Sequence, residues 1–363
     1  MVPTVFAECG SGHARNPGGP VRRHLRRRTP LWLAVLLVIG VGIAVLQAVR
    51  WAGDTLGSVQ QSDPRRVVSA DDATPAVGPP QLPNGLNQPF NVLLIGVDKR
   101  AVAEEGVRSD TLIVVHVDPL ANWAAMLSIP RDSMVEVPTL GVQKINTAFG
   151  YGYANAGALY GEDTTPDAGG GALAAETVEG FLGVPIDYIV QVDFRGFERV
   201  VDTLGGITVD VRQPLLDPAY PTEDFGVERI YIPAGLQQMD GATALRYARS
   251  RHSTSDFDRS RRQQQVLRAI LQEVRERGVL QQASLLPGLA RDFEQSVATT
   301  LPINDLDTLR GLADLASRLD TERIMQLSIT PNDVAVVAEN GSDIYWEPSD
   351  VAALVERFLA GPP

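Results

Sequence analysis

The feature that most constrains this chain is an unbroken apolar stretch close to its N-terminus. Residues 31–49 read LWLAVLLVIGVGIAVLQAV and contain one polar side chain, Gln47. As a helix these nineteen residues rise about 28 Å, close to the hydrocarbon thickness of a bilayer. We therefore expect a transmembrane anchor over residues 31–50. Because positively charged residues next to a span stay on the cytoplasmic side, the basic tail before it, residues 1–30, is expected in the cytoplasm. Five arginines of that tail precede the stretch: Arg22, Arg23, Arg26, Arg27 and Arg28.

A cleaved signal peptide is the alternative interpretation of this stretch. The segment before it is thirty residues long, and no small-x-small cleavage site follows it, so we favour an uncleaved anchor. Residues 51–89 are rich in Pro, Gly, Ser and acids and end in GPPQLPNGLNQP, which predicts a flexible tether. We therefore expect a single-pass protein of the cell membrane with an extracytoplasmic domain over residues 90–360.

The charge is unevenly distributed along the 363 residues, whose net charge is −12. The first fifty residues contain seven arginines and one acid, so the remainder carries 25 basic and 43 acidic residues, a net charge of −18. A domain this acidic is a poor partner for nucleic acid, and we expect none. The single cysteine, Cys9, excludes an intramolecular disulfide and cysteine-based zinc sites.

From Phe90 onward the pattern is that of alternating strands and helices. The apolar runs FNVLLI, TLIVVHV and WAAMLSI, at residues 90–95, 111–117 and 123–129, are typical of buried strands. Further strands are predicted at residues 187–192, 207–211 and 324–329. Helices are predicted at residues 172–182, 194–204, 259–277, 303–318 and 349–359, and after a capping Asp240. This alternation favours a layered α/β or α/β/α domain.

Charged motifs stand at the ends of three predicted strands. They are GVDKR at residues 96–100, RSDT at residues 108–111 and SIPRD at residues 128–132. A fourth segment, RYARSRHSTSDFDRSRRQQQ at residues 246–265, adds more arginines. Because α/β folds place ligands at strand ends, these motifs are the candidates for a binding site.

Several long polar side chains of these motifs predict recognition of a polyphosphate. The candidates are Arg108, Arg131, Arg249, Arg251, Arg259, Arg262 and Gln263. The first two stand at strand ends, the next two share one side of an extended stretch, and the last three share one face of a helix. Each guanidinium offers a planar fork to two phosphate oxygens. The alternative, a solvated and salt-bridged helix, is favoured for Arg261 and Arg275.

Two carboxylates, Asp98 and Asp110, are candidate metal ligands. If their strands are neighbours, both lie at the sheet edge, and hard oxygen ligands without nitrogen or sulfur suit Mg²⁺. Ordinary turn or capping residues are the alternative. Neither GxxxxGK[ST] nor GxSxG is present, and a triad built on His252 has no support in the spacing. His116, in an apolar strand, is interpreted as a packed core residue.

The motifs together resemble those of a known family, the LytR-CpsA-Psr proteins of bacterial envelopes. Two further segments extend the resemblance, KINTAFGYG at residues 144–152 and GVPIDYIVQVDFRGFERVVDTLGGITVDV at residues 183–211. It implies an outward-facing α/β/α layered domain, in which we expect a central mixed sheet, preceded by one N-terminal transmembrane helix. It also implies a phosphotransferase that moves a glycopolymer from a polyprenyl-pyrophosphate carrier to a peptidoglycan hydroxyl.

The resemblance also implies roles for individual residues. Asp98 and Asp110 would hold Mg²⁺, with Mn²⁺ as an alternative. Arg108 and Arg131 would be catalytic together with Asp256, which would orient the arginines. The side chains implied to bind pyrophosphate are Arg100, Lys144, Arg249, Arg251, Arg259, Arg262 and Gln263. The helices at residues 172–182, 194–204 and 263–274 are expected to wall an apolar slot for the polyprenyl tail.

Two residues depart from the family's usual pattern. Lys99 stands where the family usually has a small residue, and Asp258 where it usually has glycine.

Two other functions are alternatives to the transferase. With water as acceptor, the chain would be a polyprenyl-pyrophosphate hydrolase. A non-enzymatic, polyprenyl-lipid-binding envelope regulator is the alternative from another class, although none of the implied carboxylates or arginines is missing.

Overall fold

The structure, a computed structural model, describes residues 60–65, 88–98, 107–222, 226–251, 255–277, 297–302, 306–320 and 323–362. They all belong to one compact unit, Ala48–Pro363. The predicted tail, the predicted anchor and most of the predicted tether lie outside the described residues. Among the helices of the described part, none combines the length and the apolarity that a bilayer span requires.

One six-stranded sheet and four two-stranded ladders make up the β structure of the described residues. The strands are β1 (Phe90–Asp98), β2 (Arg108–Asp118), β3 (Trp123–Ile129), β4 (Met134–Val137), β5 (Gly141–Lys144), β6 (Tyr188–Asp193), β7 (Ile207–Val211), β8 (Leu215–Pro221), β9 (Val227–Ile232), β10 (Gly235–Met239), β11 (Val297–Thr299), β12 (Met325–Ser328), β13 (Val336–Asn340) and β14 (Asp343–Trp346). The ladders pair β4 with β5, β7 with β10, β8 with β9 and β13 with β14.

The helices of the described part cover both faces of the large sheet. They are α1 (Ile145–Ala154), α2 (Ala156–Tyr160), α3 (Pro166–Leu182), α4 (Phe194–Thr203), α5 (Gly241–Arg249), α6 (Asp256–Arg277), α7 (Leu306–Arg318) and α8 (Pro348–Ala360).

The large sheet is mixed, as predicted. Its strand order is β11-β6-β1-β2-β3-β12. Strand β1 pairs in parallel with β6 and antiparallel with β2, and β12 pairs in parallel with β3. Strands β1 and β2 are therefore the neighbours that the metal hypothesis requires.

Alternation along β1 separates two cores. Leu93, Ile95 and Val97 pack with residues of α1, α3 and α8 on one side of the sheet. Val92 faces the other side and packs with Leu315 and other residues of α6 and α7. A third core joins α4, α5 and α6 to β7, β8 and β10. The expected α/β/α layering is thus confirmed.

Helix α3 begins six residues earlier than predicted because three glycines, residues 169–171, are helical here. A Cβ on Gly169 would lie 2.4 Å from the Cβ of Ala156, and one on Gly170 would lie 3.0 Å from the Phe149 ring. Glycine at these positions lets α1 and α2 approach α3 closely, which outweighs the low helix propensity of glycine.

Two helices next to the site begin at carboxylate caps. Asp193 accepts a hydrogen bond from the Gly196 N–H at 2.7 Å, and Asp240 accepts one from the Thr243 N–H at 2.8 Å. These caps fix the starts of α4 and α5, and the one predicted at Asp240 is confirmed.

His116 is a core residue, as interpreted from the sequence. Its Nδ1 lies 2.8 Å from Asn91 Oδ1, and its ring packs against Trp123 and Phe358. Burial lowers the pKa of His116 below its ordinary value, so the ring is neutral at pH 7.

Candidate active site

Three adjoining cavities form one continuous site. We call them the apolar slot, of about 290 Å³, the arginine cavity, of about 90 Å³, and the polar cleft, of about 670 Å³. Arg249 and Gln263 line both the apolar slot and the arginine cavity. Asp110, Arg131 and Arg251 line both the arginine cavity and the polar cleft. A single elongated ligand can therefore contact all three.

The apolar slot lies between the large sheet and helices α4, α5 and α6. Its apolar lining is Leu94, Ile95, Ile113, Val190, Val192, Phe194, Phe197, Val200, Leu245, Ala248, Val266, Leu267, Ile270 and Val297. Two of the three predicted helical walls, at residues 194–204 and 263–274, therefore line an apolar slot. The third, at residues 172–182, does not, because α3 packs in the core on the opposite face of the sheet.

A β-bulge lies where the apolar slot meets the arginine cavity. The pairing of β1 with β2 shifts register beside Gly96, which pairs with Thr111 and leaves Asp110 as the extra residue. A bulge re-aims side chains next to it. A Cβ on Gly96 would lie 2.9 Å from the Thr111 Cβ, so the glycine of GVDKR makes room for Thr111. The hydroxyl of Thr111 in turn accepts a hydrogen bond from Gln263 Nε2 at 2.8 Å.

Arg131 is held by three carboxylates in the arginine cavity. Its Nη1 donates to Asp110 Oδ1 at 2.8 Å, and its Nε lies 3.4 Å from an oxygen of both Asp132 and Asp256. Arg131 comes from the loop after β3, Asp110 from β2 and Asp256 from α6. These contacts fix the guanidinium between separate elements before any ligand binds.

Arg259 is the most deeply buried cation that lines the arginine cavity. Its exposed fraction is 6%. Its Nη1 lies 3.4 Å from Asp256 Oδ1, and its Nη2 is 3.4 Å from the Asp110 carbonyl oxygen. Its buried Nε has no hydrogen-bond partner among the described residues. Burial lowers the pKa of Arg259, and Asp256 only partly offsets this. A buried guanidinium with an unused donor favours binding of an anion.

Three further arginines surround the same space. Arg249 stacks on the Phe194 ring, 3.9 Å from its centroid, and donates from Nη1 to the Tyr220 hydroxyl at 3.2 Å. Arg251 and Arg108 are exposed side chains that line the polar cleft, and neither forms an ion pair with a described residue. A phosphate group can thus contact two arginines that are held in place, Arg131 and Arg259, and two exposed ones, Arg108 and Arg251, in addition to Arg249.

Asp110 is ionised although it is half-buried. Burial by itself would raise the pKa of Asp110, but the guanidinium of Arg131 holds it below the ordinary value, with smaller contributions from Arg259 and Arg251. An ionised carboxylate among arginines orients their donors. It is also a hard oxygen ligand for a divalent cation.

Lys144 lies at the far side of the polar cleft, at the end of β5. Its Nζ donates to Asp132 Oδ1 at 2.7 Å and to Ser342 Oγ at 2.6 Å, and lies 3.2 Å from Asp343 Oδ1. The hydrogen bond to Asp132 raises the pKa of Lys144, so its side chain is charged at pH 7. The same cleft is lined by Tyr151 and other residues of α1.

The structure does not bring Arg262 into the cluster predicted from helical spacing. This arginine is as buried as Arg259, but its Nε donates to the Tyr247 carbonyl at 2.9 Å and its Nη2 to the Ser250 carbonyl. Arg262 therefore supports the C-terminal end of α5 and lines none of the three cavities. Arg100 lies outside the described residues. At the start of α6 the capping side chain is that of Ser255, whose Oγ accepts a hydrogen bond from the Asp258 N–H at 3.1 Å. The Asp258 carboxylate accepts one in return from the Ser255 N–H at 3.0 Å and pairs with Arg261.

Four residues of the site received no functional role from the sequence. They are Asp132, Tyr220, Ser342 and Asp343. Asp132 belongs to the SIPRD motif, so its position was a usable signal. The others act through contacts between segments far apart in the chain, and no local pattern marks them.

The carboxylate oxygens present can hold a hard cation only if oxygens of the bound phosphate ligand complete its coordination. Asp98 ends β1 opposite Arg108 and does not line the three cavities, whereas Asp110 lines two of them. No group of three or more His, Cys, Asp or Glu residues able to hold a metal occurs among the described residues. Two carboxylates would need phosphate oxygens and water to complete an octahedral Mg²⁺ site.

Comparison with known proteins identifies curated relatives. The chain is 34% identical over 268 residues to TagV of Bacillus subtilis (strain 168), named a polyisoprenyl-teichoic acid–peptidoglycan teichoic acid transferase; the match covers 72% of this chain. It spans 61% of TagV, so part of that relative has no counterpart here. The chain is also 30% identical over 336 residues to the probable cell wall biosynthesis protein LcpB of Corynebacterium glutamicum, covering 87% of this chain and 68% of LcpB.

Solved structures share the fold. The crystal structure of B. subtilis TagV aligns with a TM-score of 0.55 at 30% identity, over 76% of this chain and 99% of that one. A structure of TagT bound to LI-WTA aligns with a TM-score of 0.56 at 26% identity, over 76% and 91%. The family model of LytR_cpsA_psr matches residues 57–355. That match extends from the predicted tether into α8, and this protein therefore belongs to the LytR_cpsA_psr family.

Proposed function

We propose that this protein transfers a glycopolymer from a polyprenyl-pyrophosphate carrier to a hydroxyl of peptidoglycan. The observation that carries the proposal is the order of the three cavities: apolar slot, arginine cavity, polar cleft. A polyprenyl-pyrophosphate-linked glycan has the same order of an apolar tail, two phosphates and sugars. The similar proteins TagV and TagT of B. subtilis, both named as transferases between such partners, support the same proposal.

In this proposal the arginine cavity holds the pyrophosphate. Arg131 and Arg259 are fixed in advance, and Arg249 stands at the entrance from the apolar slot. Arg251 and Arg108 reach the phosphate that carries the sugar. The side-chain amide of Gln263 is held on one side of the arginine cavity by its hydrogen bond to the Thr111 hydroxyl. Asp256 is a positioning residue rather than a catalytic one, because it contacts both fixed arginines and lines none of the cavities.

The reaction is a phosphoryl transfer. The acceptor hydroxyl oxygen bonds to the phosphorus that carries the sugar, and the bond from that phosphorus to the bridging oxygen breaks. Polyprenyl phosphate leaves with the bonding electrons, and the hydroxyl proton passes to water or to the leaving phosphate. Because positive charge held in place stabilises the developing negative charge, Arg108 and Arg131 are the residues we assign to catalysis.

A divalent cation belongs to this proposal as well. Asp98 and Asp110 would hold Mg²⁺, or Mn²⁺ as the alternative, together with pyrophosphate oxygens. When bound, the cation neutralises charge on the pyrophosphate. Asp110 is suited to this role because it is ionised and lines the cavity, and Asp98 because it ends the neighbouring strand.

We also propose that the chain acts at the outer face of the cell membrane. The apolar stretch at residues 31–49 and the arginines before it support a single span with a cytoplasmic N-terminus. A polyprenyl carrier is itself a membrane lipid, so donor and enzyme would meet at the same surface.

The test uses the full chain in detergent, a polyprenyl-pyrophosphate-linked saccharide and peptidoglycan fragments, with Mg²⁺, Mn²⁺ or a chelator. We expect saccharide on peptidoglycan and release of polyprenyl phosphate. Arg131→Ala should lower turnover at least 100-fold. The matched control is Arg261→Ala, which removes an exposed arginine of α6 that pairs only with Asp258 in the described residues.

The products discriminate among the three functions. Saccharide phosphate released into water, with none on peptidoglycan, would instead support the hydrolase. Tight lipid binding without turnover in any metal would support the non-enzymatic regulator.

A further inference from the structure

A short segment of the predicted tether packs on the domain. Residues 60–65, QQSDPR, are described, and we call them the strap. Gln60 forms a parallel bridge with Thr299, and the Gln61 N–H donates to the Thr299 carbonyl at 2.7 Å. Thr299 belongs to β11, the edge strand of the large sheet, so the strap adds to the sheet at that edge.

The strap ends in a buried group of charges. Arg65 Nη2 lies 2.7 Å from Asp63 Oδ2, and Arg65 Nη1 lies 3.0 Å from Glu179 Oε1 on α3. Arg65 Nη2 also donates to the Ile186 carbonyl at 3.1 Å. The exposed fraction of the Asp63 side chain is 1%. The Asp63–Arg65 pair lies within the strap and orients the guanidinium, and the contacts of Arg65 with Glu179 and the Ile186 carbonyl attach the strap to the domain. Undocking would leave these partners without their cation.

The strand that the strap contacts also forms part of the apolar slot. Val297 of β11 lines the slot, as do Val190 and Val192 of β6. Val297 pairs with Val192, and Thr299 pairs with Val190. The strap is therefore attached next to the slot, two residues along the same strand from a lining side chain.

Docking of the strap changes the length of chain that separates the slot from the predicted anchor. Nine residues, 51–59, join the predicted anchor to the strap, and nine extended residues span at most about 32 Å. With the strap released, the connection would be the 39 residues 51–89, which span at most about 140 Å.

We propose that the strap is a docking device that holds the apolar slot close to the bilayer, so that the slot takes its polyprenyl lipid directly from the membrane. This rests on the proposed function and on the predicted anchor. The local concentration of a tethered site falls roughly as the −3/2 power of tether length. Release of the strap should therefore slow loading about ninefold.

The experiment places the full chain in vesicles and compares two donors. One is a long-chain donor in the same vesicles, and the other is a short-prenyl donor soluble in water. Asp63→Ala combined with Arg65→Ala releases the strap and should lower the rate with the membrane donor about ninefold, with the soluble donor unaffected. Its urea unfolding curve shows whether the domain stays folded.

Two insertions of twelve Gly/Ser residues give a matched pair that leaves the strap intact. An insertion after residue 55 lengthens the anchor-side connection and should slow the membrane donor about fourfold. The same insertion after residue 75 lies on the domain side of the strap and should change neither rate. Equal effects of the two insertions, or equal losses with the two donors, would overturn the proposal.

A second readout separates the strap from the proposed function. A photoreactive polyprenyl phosphate in the vesicles is crosslinked to the full chain, which reports loading without turnover. Reduced crosslinking in the strap variants would support the strap even if the wild-type chain transferred no saccharide, and that second result would refute the transferase. Unchanged crosslinking in the variants would refute the strap.

Discussion

Two buried arginines three residues apart on α6 should respond to the same substitution in opposite ways. Arg259 and Arg262 are 6% and 7% exposed. Arg262 donates to two backbone carbonyls, whereas Arg259 lines the arginine cavity with an Nε that has no hydrogen-bond partner in the part of the chain that the structure describes. Methionine keeps much of the volume of arginine and removes its charge, so Arg259→Met and Arg262→Met isolate the role of the donors.

For Arg259→Met we expect weaker lipid binding with little change in the free energy of unfolding. A lost hydrogen bond between a cation and a phosphate costs about 1.5–3 kcal/mol, which is roughly a 10- to 150-fold rise in Kd. Stability should change by less than about 1 kcal/mol, since a buried, incompletely paired guanidinium contributes little to stability. Asp110 and Asp256 both keep Arg131 as a partner.

For Arg262→Met we expect the reverse. The carbonyls of Tyr247 and Ser250 at the end of α5 would lose a charged donor, at a cost of about 2–4 kcal/mol in the free energy of unfolding. The Kd for polyprenyl pyrophosphate should stay within about twofold in conditions where the variant is folded. Urea unfolding and titration with polyprenyl pyrophosphate in detergent measure both quantities. If Arg259→Met lost stability and kept its affinity, the assignment of these two arginines would be refuted.

Two further predictions concern the apolar slot and the core. Val200→Trp on α4 places a large side chain in the apolar slot. This variant should bind a long-chain polyprenyl phosphate at least tenfold more weakly but bind inorganic pyrophosphate as the wild type does. Equal effects on the two ligands would show that the slot does not hold the polyprenyl tail. Burial keeps the folded pKa of His116 below 6.5, so the unfolded chain binds the extra proton as the pH falls. Wild-type stability relative to His116→Phe should therefore decline in urea unfolding as the pH falls below about 6.5, the pKa of the unfolded chain, and a constant difference would contradict the buried neutral ring.

Much of the fold follows from short-range patterns in the sequence. The strand predicted at residues 207–211 coincides with β7, and the cap predicted at Asp240 begins α5. Both depend on neighbouring residues alone. The early start of α3 did not follow, because its glycines are stable in a helix only through contact with Phe149 and Ala156. The hairpins β4–β5, β8–β9 and β13–β14 were likewise absent from the prediction.

The site was predictable as a set of motifs and not as a set of contacts. Spacing placed Arg259 and Arg262 on one helix face, but two carbonyls from another helix decide that only Arg259 lines the arginine cavity. The family resemblance marked Lys144 without its partner Asp132, twelve residues earlier, because the contact needs the turn between β4 and β5. Such partners become visible only when separate elements are assembled.

The charges of the assembled site explain why its arginines do not simply pair with the acids around them. Six cationic side chains line the arginine cavity and polar cleft: Arg108, Arg131, Lys144, Arg249, Arg251 and Arg259. Four carboxylates face them: Asp110, Asp132, Asp256 and Asp343. The surplus is two positive charges before any metal binds, and a pyrophosphate esterified at both ends carries one negative charge on each phosphate. The carboxylates hold the inner cations in place, while Arg108 and Arg251 lack acidic partners among the described residues. An incoming pyrophosphate therefore neutralises the charge that the fold leaves uncompensated. We accordingly expect the affinity of the wild type for pyrophosphate lipid to fall most steeply with salt, and less steeply after Arg108→Ala or Arg251→Ala, as titration over a range of salt concentrations would measure.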